Sequence, residues 1–172
     1  TYLSVDSDVG EMSMVSEPRP GSVLGSGMAL PFADGSVDVC YSSNVLEHVP
    51  APWVMADEMV RVTKSGGLVF LSYTTWYGPW GGHETAPWHY LGGRRAANRY
   101  ARSCGQRPKN DFGRSLFKVT VAEGLSYTDR VAGVDIVDVL PRYNPWWAHW
   151  LLRVPGLREL VTWNLVIVAR KR

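Results

Sequence analysis

Residues 25–67, GSGMALPFADGSVDVCYSSNVLEHVPAPWVMADEMVRVTKSGG, lay out a turn, an apolar strand, a polar loop, a helix and a glycine stop in that order. AspGlySer at 34–36 is turn chemistry. Val37, Val39 and Tyr41 then interleave with Asp38, Cys40 and Ser42, a strand with room for burial on both faces. Pro52 suits a first helical turn, Met55, Met59 and Val62 recur at helical spacing, and SerGlyGly at 65–67 is the expected stop. The apolar strand LeuValPheLeuSerTyr follows at 68–73. A right-handed crossover makes the two strands parallel. The polar loop Ser42, Ser43 and Asn44 then sits at the carboxyl end of a strand, where open α/β sheets bind ligands.

The flanking segments extend this pattern. TyrLeuSerVal, ending in Asp6, reads as a short strand, and Asp8 caps a helical turn through Glu11 and Met14 that Pro18 and Pro20 end. ValLeuGlySerGly at 23–27 is a second short strand. Residues 94–103 fit a helix with Arg94, Arg95, Arg99 and Arg102 on its wet side, and Thr120 with Glu123 has capping-box spacing before a helix to about Val131. Residues 134–140 and 163–169 read as strands, joined by a helical excursion that Pro145 opens and Pro155 closes. Repeated strand, helix, strand units argue for an α/β sheet.

Composition narrows the function classes. A chain of 172 residues, 45% hydrophobic, is the size of one domain with one core. The net charge of +2 gives no electrostatic case for nucleic acid, and the basic AlaArgLysArg end reads as a solvated tail. Two cysteines, Cys40 and Cys104, make neither a disulfide framework nor a metal spacing and fit a reducing, cytoplasmic setting. No apolar run reaches the roughly 18 residues of a membrane span.

LeuProPhe at 30–32, the SerValAspVal strand start, ValLeuGluHisVal at 45–49 and ArgValThrLysSerGlyGly at 61–67 occur in that order. In this the chain resembles class I, Rossmann-like S-adenosylmethionine-dependent methyltransferases, and most closely the small-molecule branch that includes the ubiquinone and menaquinone methylating enzymes. The resemblance covers Thr1 to about Tyr73 and, more loosely, the last forty or so residues. It implies an α/β methyltransferase sheet with helices on both faces and S-adenosylmethionine as cofactor. Asp6 matches the acid that accepts both ribose hydroxyls, a task suited to paired carboxylate acceptors. Gly27 and Met28 match the dipeptide beside the adenine, with Ser26 where many relatives carry an acid. Ser42, Ser43 and Asn44 match the loop passing the methionine moiety. His48 matches a position that more often holds the loop than does chemistry, and Glu58 and Arg61 read as scaffold.

The family's glycine-rich loop lies upstream of Asp6, and this chain, which begins at Thr1, has none. The expectation is therefore an N-terminally incomplete domain lacking its first strand and helix, with about seventy further residues in the natural protein. A sheet without a central strand also implies that the 172-residue chain alone is unstable or binds S-adenosylmethionine poorly.

Residues 75–118 form the expected substrate-covering insertion, opening on an aromatic, glycine- and proline-rich run. Tyr73, Trp76, His83, Glu84, His89 and Tyr90 are the candidate acceptor residues, with His83 or His89 as a base. His83, Glu84 and His89 fit no helical zinc motif, since Pro87 interrupts the run, so no metal is expected. Trp146, Trp147, Trp150 and Trp163, with Arg142, Arg153 and Arg158 around them, could rest at a membrane interface, but the favoured reading is core. The resulting expectation is methyl transfer to a small, apolar acceptor. The competing readings are a catalytically silent scaffold of the same fold and a nicotinamide-dependent reductase.

Overall fold

The protein is described by a computed structural model over residues 1–7 and 21–172. The helical turn expected at Asp8, Glu11 and Met14, with Pro18 and Pro20 at its end, lies outside the described residues. β1 (Ser4–Asp6) and β2 (Ser22–Leu24) pair in parallel as a small sheet. A second sheet joins β3 (Val37–Ser43), β4 (Thr63–Thr74), β5 (Val134–Pro141) and β6 (Asn164–Lys171) in the order β3-β4-β6-β5. β3 and β4 are parallel, and β6 runs antiparallel to both its neighbours.

Helix α1 (Pro52–Val62) makes the crossover from β3 to β4, with Pro52 in its first turn. It ends before SerGlyGly at 65–67, which belongs to β4 instead of stopping the helix. The pairing of β3 with β4 slips between Val37 opposite Thr63 and Val39 opposite Leu68. Gly66 takes a φ of 80°, and a Cβ on Gly67 would stand 2.6 Å from the Asp38 carbonyl oxygen. Both glycines therefore serve a strand irregularity, a backbone need that resembles a helix stop in sequence.

One face of the larger sheet is covered. Met55, Ala56 and Met59 of α1 share a core with Val69, Leu71 and Tyr73 of β4 and Leu165, Ile167 and Ala169 of β6. Helix α2 (Gly93–Cys104) carries its arginines outward, as expected. Helix α3 (Val121–Arg130) begins with the expected capping box, and its first two free N–H groups, of Val121 and Ala122, donate to the Glu159 carboxylate (2.9 and 2.8 Å) from α4 (Leu157–Val161). Trp53 of α1 stacks on Tyr127 of α3 at 4.9 Å, and the Tyr127 hydroxyl donates to Asp57 Oδ1, so both helices lie on that face.

The opposite face is open at β3. Val39 and Tyr41 are exposed, Tyr41 stacking on Phe70, so the room for burial on this second face of β3 is not filled by any described residue. β3 is the edge strand of its sheet among the described residues, and no described element lies over Tyr41. The tryptophans also differ from the core reading. Trp146, Trp147, Trp150 and Trp163 are all exposed, Trp146 at 82%. Trp146–Arg153 is a 3-10 turn with a period of three, so Trp147, Trp150 and Arg153 fall on one outward row while Ala148 and Leu152 are buried. Among the described residues, no helix is long and apolar enough to cross a membrane.

The LeuProPhe turn is clamped onto α1. The Leu30 N–H donates to Glu58 Oε2 (2.8 Å), and Arg61 donates to the Glu58 carboxylate and to the Leu30 and Phe32 carbonyls. The hydrogen bond from Arg61 holds the Glu58 carboxyl below the usual range. A carboxyl depressed on folding contributes stability above its unfolded value, about 4.3, and loses it as pH falls through the folded value. Thermal melts from about pH 6 down to about pH 3 should therefore show Glu58→Gln starting less stable and losing less on acidification than the parent chain. Parallel curves for the two would refute this linkage.

Candidate functional site

The parallel register sets Ser42 opposite Leu71 and Ser43 opposite Ser72, which brings the ends of β3 and β4 to one rim. The chain leaves β3 through Asn44 with a φ of 56°, a conformation asparagine tolerates better than most residues. Its N–H donates to the Ser72 carbonyl (2.8 Å), and its Oδ1 accepts from Asn164 Nδ2 (2.8 Å). Asn164 Oδ1 accepts in turn from Ser72 Oγ (2.9 Å), and Arg142 Nη1 donates to Ser43 Oγ (3.0 Å) and Ser72 Oγ (3.2 Å). Arg142 and Asn164 did not emerge from the sequence as site residues. Their only signal was a polar residue bordering an apolar strand. Ser42 Oγ, by contrast, is buried with no hydrogen-bond partner among the described residues.

At the end of β1, the Asp6 carbonyl accepts from the Gly25 N–H (2.9 Å), which fixes the 25–28 turn beside Asp6. Ser26 Oγ accepts from the Met28 N–H (3.2 Å), so part of its capacity is spent within the turn. A Cβ on Gly27 would come within 3.0 Å of Met55 Sδ, so the turn is docked on α1, and Met28 packs against the core. Asp6, Ser26, Gly27 and Met28 are thus gathered at one strand end, and Ser42, Ser43 and Asn44 at another.

A third group lies where Leu46–His48 crosses the end of β4. Glu47 is 1% exposed, and its Oε1 accepts from the Thr74 N–H (3.0 Å). His48 donates from Nδ1 to the Ser115 carbonyl (2.7 Å), in the 75–118 segment and not in the Ser42–Asn44 loop. The His48 ring stands 5.1 Å from that of His83. Burial, followed by the neighbouring His48, pushes the His83 imidazole below its ordinary value.

The candidate acceptor residues divide into separate places. Trp76, His89 and Tyr90 line an open cleft of about 490 Å³ with Tyr77, Phe112 and Lys118, while Arg94 and Arg95 stand on it as well. His89 is buried edge-on to Trp76, against a Gly82 whose Cβ would meet its ring at 2.5 Å, and burial lowers its pKa. Tyr73 is fully buried, and its hydroxyl donates to the Thr120 carbonyl, which turns it toward α3 and away from the acceptor side. Glu84 accepts from Asn110 Nδ2 and lines a different, smaller hollow with Trp88 and Arg99.

A family model described as a methyltransferase domain matches residues 2–71. An uncharacterized methyltransferase of Mycolicibacterium gilvum is 56% identical over 173 residues, covering 98% of this chain and 67% of the relative. The chain belongs to the methyltransferase-domain family. An uncharacterized methyltransferase of Mycobacterium leprae is 55% identical over 175 residues, covering 99% of this chain, which spans 64% of the relative's length. The crystal structure of an S-adenosylmethionine-dependent methyltransferase from Mesorhizobium loti has the same fold, with a TM-score of 0.60 at 20% identity over 98% of this chain and 79% of that one. One from Thermotoga maritima gives 0.54 at 16% identity, covering 98% and 72%.

The rim depends on Asn164, which is buried and bonded on both ends of its amide. Asn164→Leu leaves the Ser72 hydroxyl proton without its acceptor and Asn44 Oδ1 without its donor, and should lower stability by about 2 kcal/mol in urea denaturation. A loss within about 0.5 kcal/mol would mean that Arg142 alone holds the rim together.

Proposed function

We propose that the methyltransferase transfers the methyl group of S-adenosylmethionine to a small acceptor, with Asp6 at the ribose, Ser26–Met28 at the adenine and Ser42–Asn44 at the methionine moiety. The observation that carries this reading is the convergence of three features on strand ends. These are an acid closing β1, a glycine turn pressed onto α1, and a polar loop leaving β3 beside an unpartnered, buried Ser42 hydroxyl. These residues fit the group, offering paired acceptors to a diol, a side-chain-free approach to a flat ring and a free polar atom inward. The cofactor, when bound, supplies a methyl carbon on a positively charged sulfur, already a strong electrophile. What remains for the chain is positioning and exclusion of water.

On the acceptor side, residues 75–118 supply the cover. Trp76, Tyr77, Tyr90 and Phe112 give the cleft a flat apolar wall, which supports an apolar acceptor of the kind handled by the small-molecule branch. Lys118, Arg94 and Arg95 add positive charge, and none of the residues lining the cleft is acidic, which favours an acceptor that also carries an acidic group. His89, enclosed by Trp76 and Gly82, holds that wall in place, and His83 borders the strand-end rim instead.

Removing the ribose acceptor tests the cofactor assignment. Asp6→Ala should weaken binding of S-adenosylhomocysteine at least about tenfold in titration calorimetry, since a hydrogen bond to a charged group contributes about 1.5–3 kcal/mol and tenfold is about 1.4 kcal/mol. Equal affinity in the parent and the variant would remove Asp6 from the site. Both proteins are the longer natural chain, and no transfer of labelled methyl to any acceptor by that parent would favour the silent scaffold.

A further inference from the structure

We infer that Glu47, His48 and His83 form a site for a divalent transition-metal ion of the zinc class. The inference uses none of the cofactor residues and stands apart from methyl transfer. One ligand atom from each of the three residues lies within 4.8 Å of the other two, the one such grouping among the described residues. Bonds of about 2.0–2.2 Å put neighbouring tetrahedral ligands about 3.4 Å apart, so the side chains need to close by up to about 1.4 Å.

Each member has an atom that lacks a partner or is set up for a metal. Glu47 is 1% exposed, and only its Oε1 is used, by the Thr74 N–H. Its Oε2 is buried with no hydrogen-bond partner, and no ion pair to Glu47 exists among the described residues. A buried carboxylate oxygen without a donor is costly unless a cation or a proton meets it. His48 must carry its proton on Nδ1, because the Ser115 carbonyl can only accept, and this leaves the lone pair on Nε2. A ring N–H given to a backbone carbonyl is the arrangement that orients metal-ligating histidines. His83 Nε2 is likewise buried and unpartnered.

The donor set selects the ion class. Two imidazoles and one carboxylate suit zinc and similar ions, whereas magnesium and calcium favour all-oxygen surroundings. Three protein ligands leave a fourth position for water or for an oxygen of another molecule. The local run HisGluThrAlaProTrpHis hides this trio, because Glu47 lies 36 positions before His83 and reaches it only through the fold.

Competition against a chromophoric zinc chelator tests the site on the purified chain. One equivalent of zinc should bind with a Kd of about 1 μM or tighter. Glu47→Gln and His83→Gln should each weaken it at least about 100-fold, beyond the 10–100-fold typical of losing an outer-shell partner. Cys104→Ser, which removes the exposed thiol, should leave it unchanged. Cobalt loading should give visible absorption bands that His48→Gln abolishes. Circular dichroism checks that each variant folds, and if Glu47→Gln does not, His83→Gln on its partly exposed turn decides. The inference is overturned if the parent chain binds zinc no tighter than about 100 μM. It is equally overturned if zinc affinity survives His83→Gln, in which case a proton and not a metal satisfies Glu47.

Discussion

The parallel pairing of β3 with β4 is the constraint on which the rest of this fold depends. Parallel strands need a crossover, and α1 provides it while covering the sheet with Met55, Ala56 and Met59. The same pairing sends both chains out at one rim, so residues 42–48 and 72–76 meet there although about thirty positions separate them. An antiparallel arrangement would place the Ser42–Asn44 loop and the start of the acceptor cover at opposite ends.

Polar groups that emerge at such a rim are half-buried and need partners, and the structure provides them from distant segments. Asn164 and Arg142, from the antiparallel β5–β6 pair, stitch Asn44, Ser43 and Ser72 together. Glu47 and the Thr74 N–H perform the same task on the other side of the loop. Satisfied groups of this kind hold a rim rigid. Among the described residues, Ser42 Oγ, Glu47 Oε2 and His83 Nε2 are among the buried groups left without partners, and they mark where another molecule or ion has something to gain.

Much of the architecture was legible in local pattern. The Thr120–Glu123 box, Pro52 at a helix start and the Glu58–Arg61 pair act over three or four residues, and all occur as read. The misreadings came where one local pattern serves two physical needs. SerGlyGly at 65–67 reads as a helix stop, yet the glycines are required because the backbone passes close to Asp38. The tryptophan cluster reads as core from its apolar mass, but a 3-10 turn aims Trp147 and Trp150 outward. Tyr73 leaves β4 near the rim in sequence, and strand alternation points it into the core.

The sequence by itself determined the element order, the parallel unit and the family, because periodicity, turn chemistry and motif order are properties of neighbouring residues. It also placed Asp6, Gly27 and Asn44 at strand ends. Only the tertiary structure decided which of the candidate residues share a site. It set His89 against Trp76 and Gly82, closed Tyr73 off beneath α3, and brought Glu47 beside His48 and His83. Such partnerships depend on burial and on hydrogen bonds between segments far apart in the chain, and no local pattern encodes them.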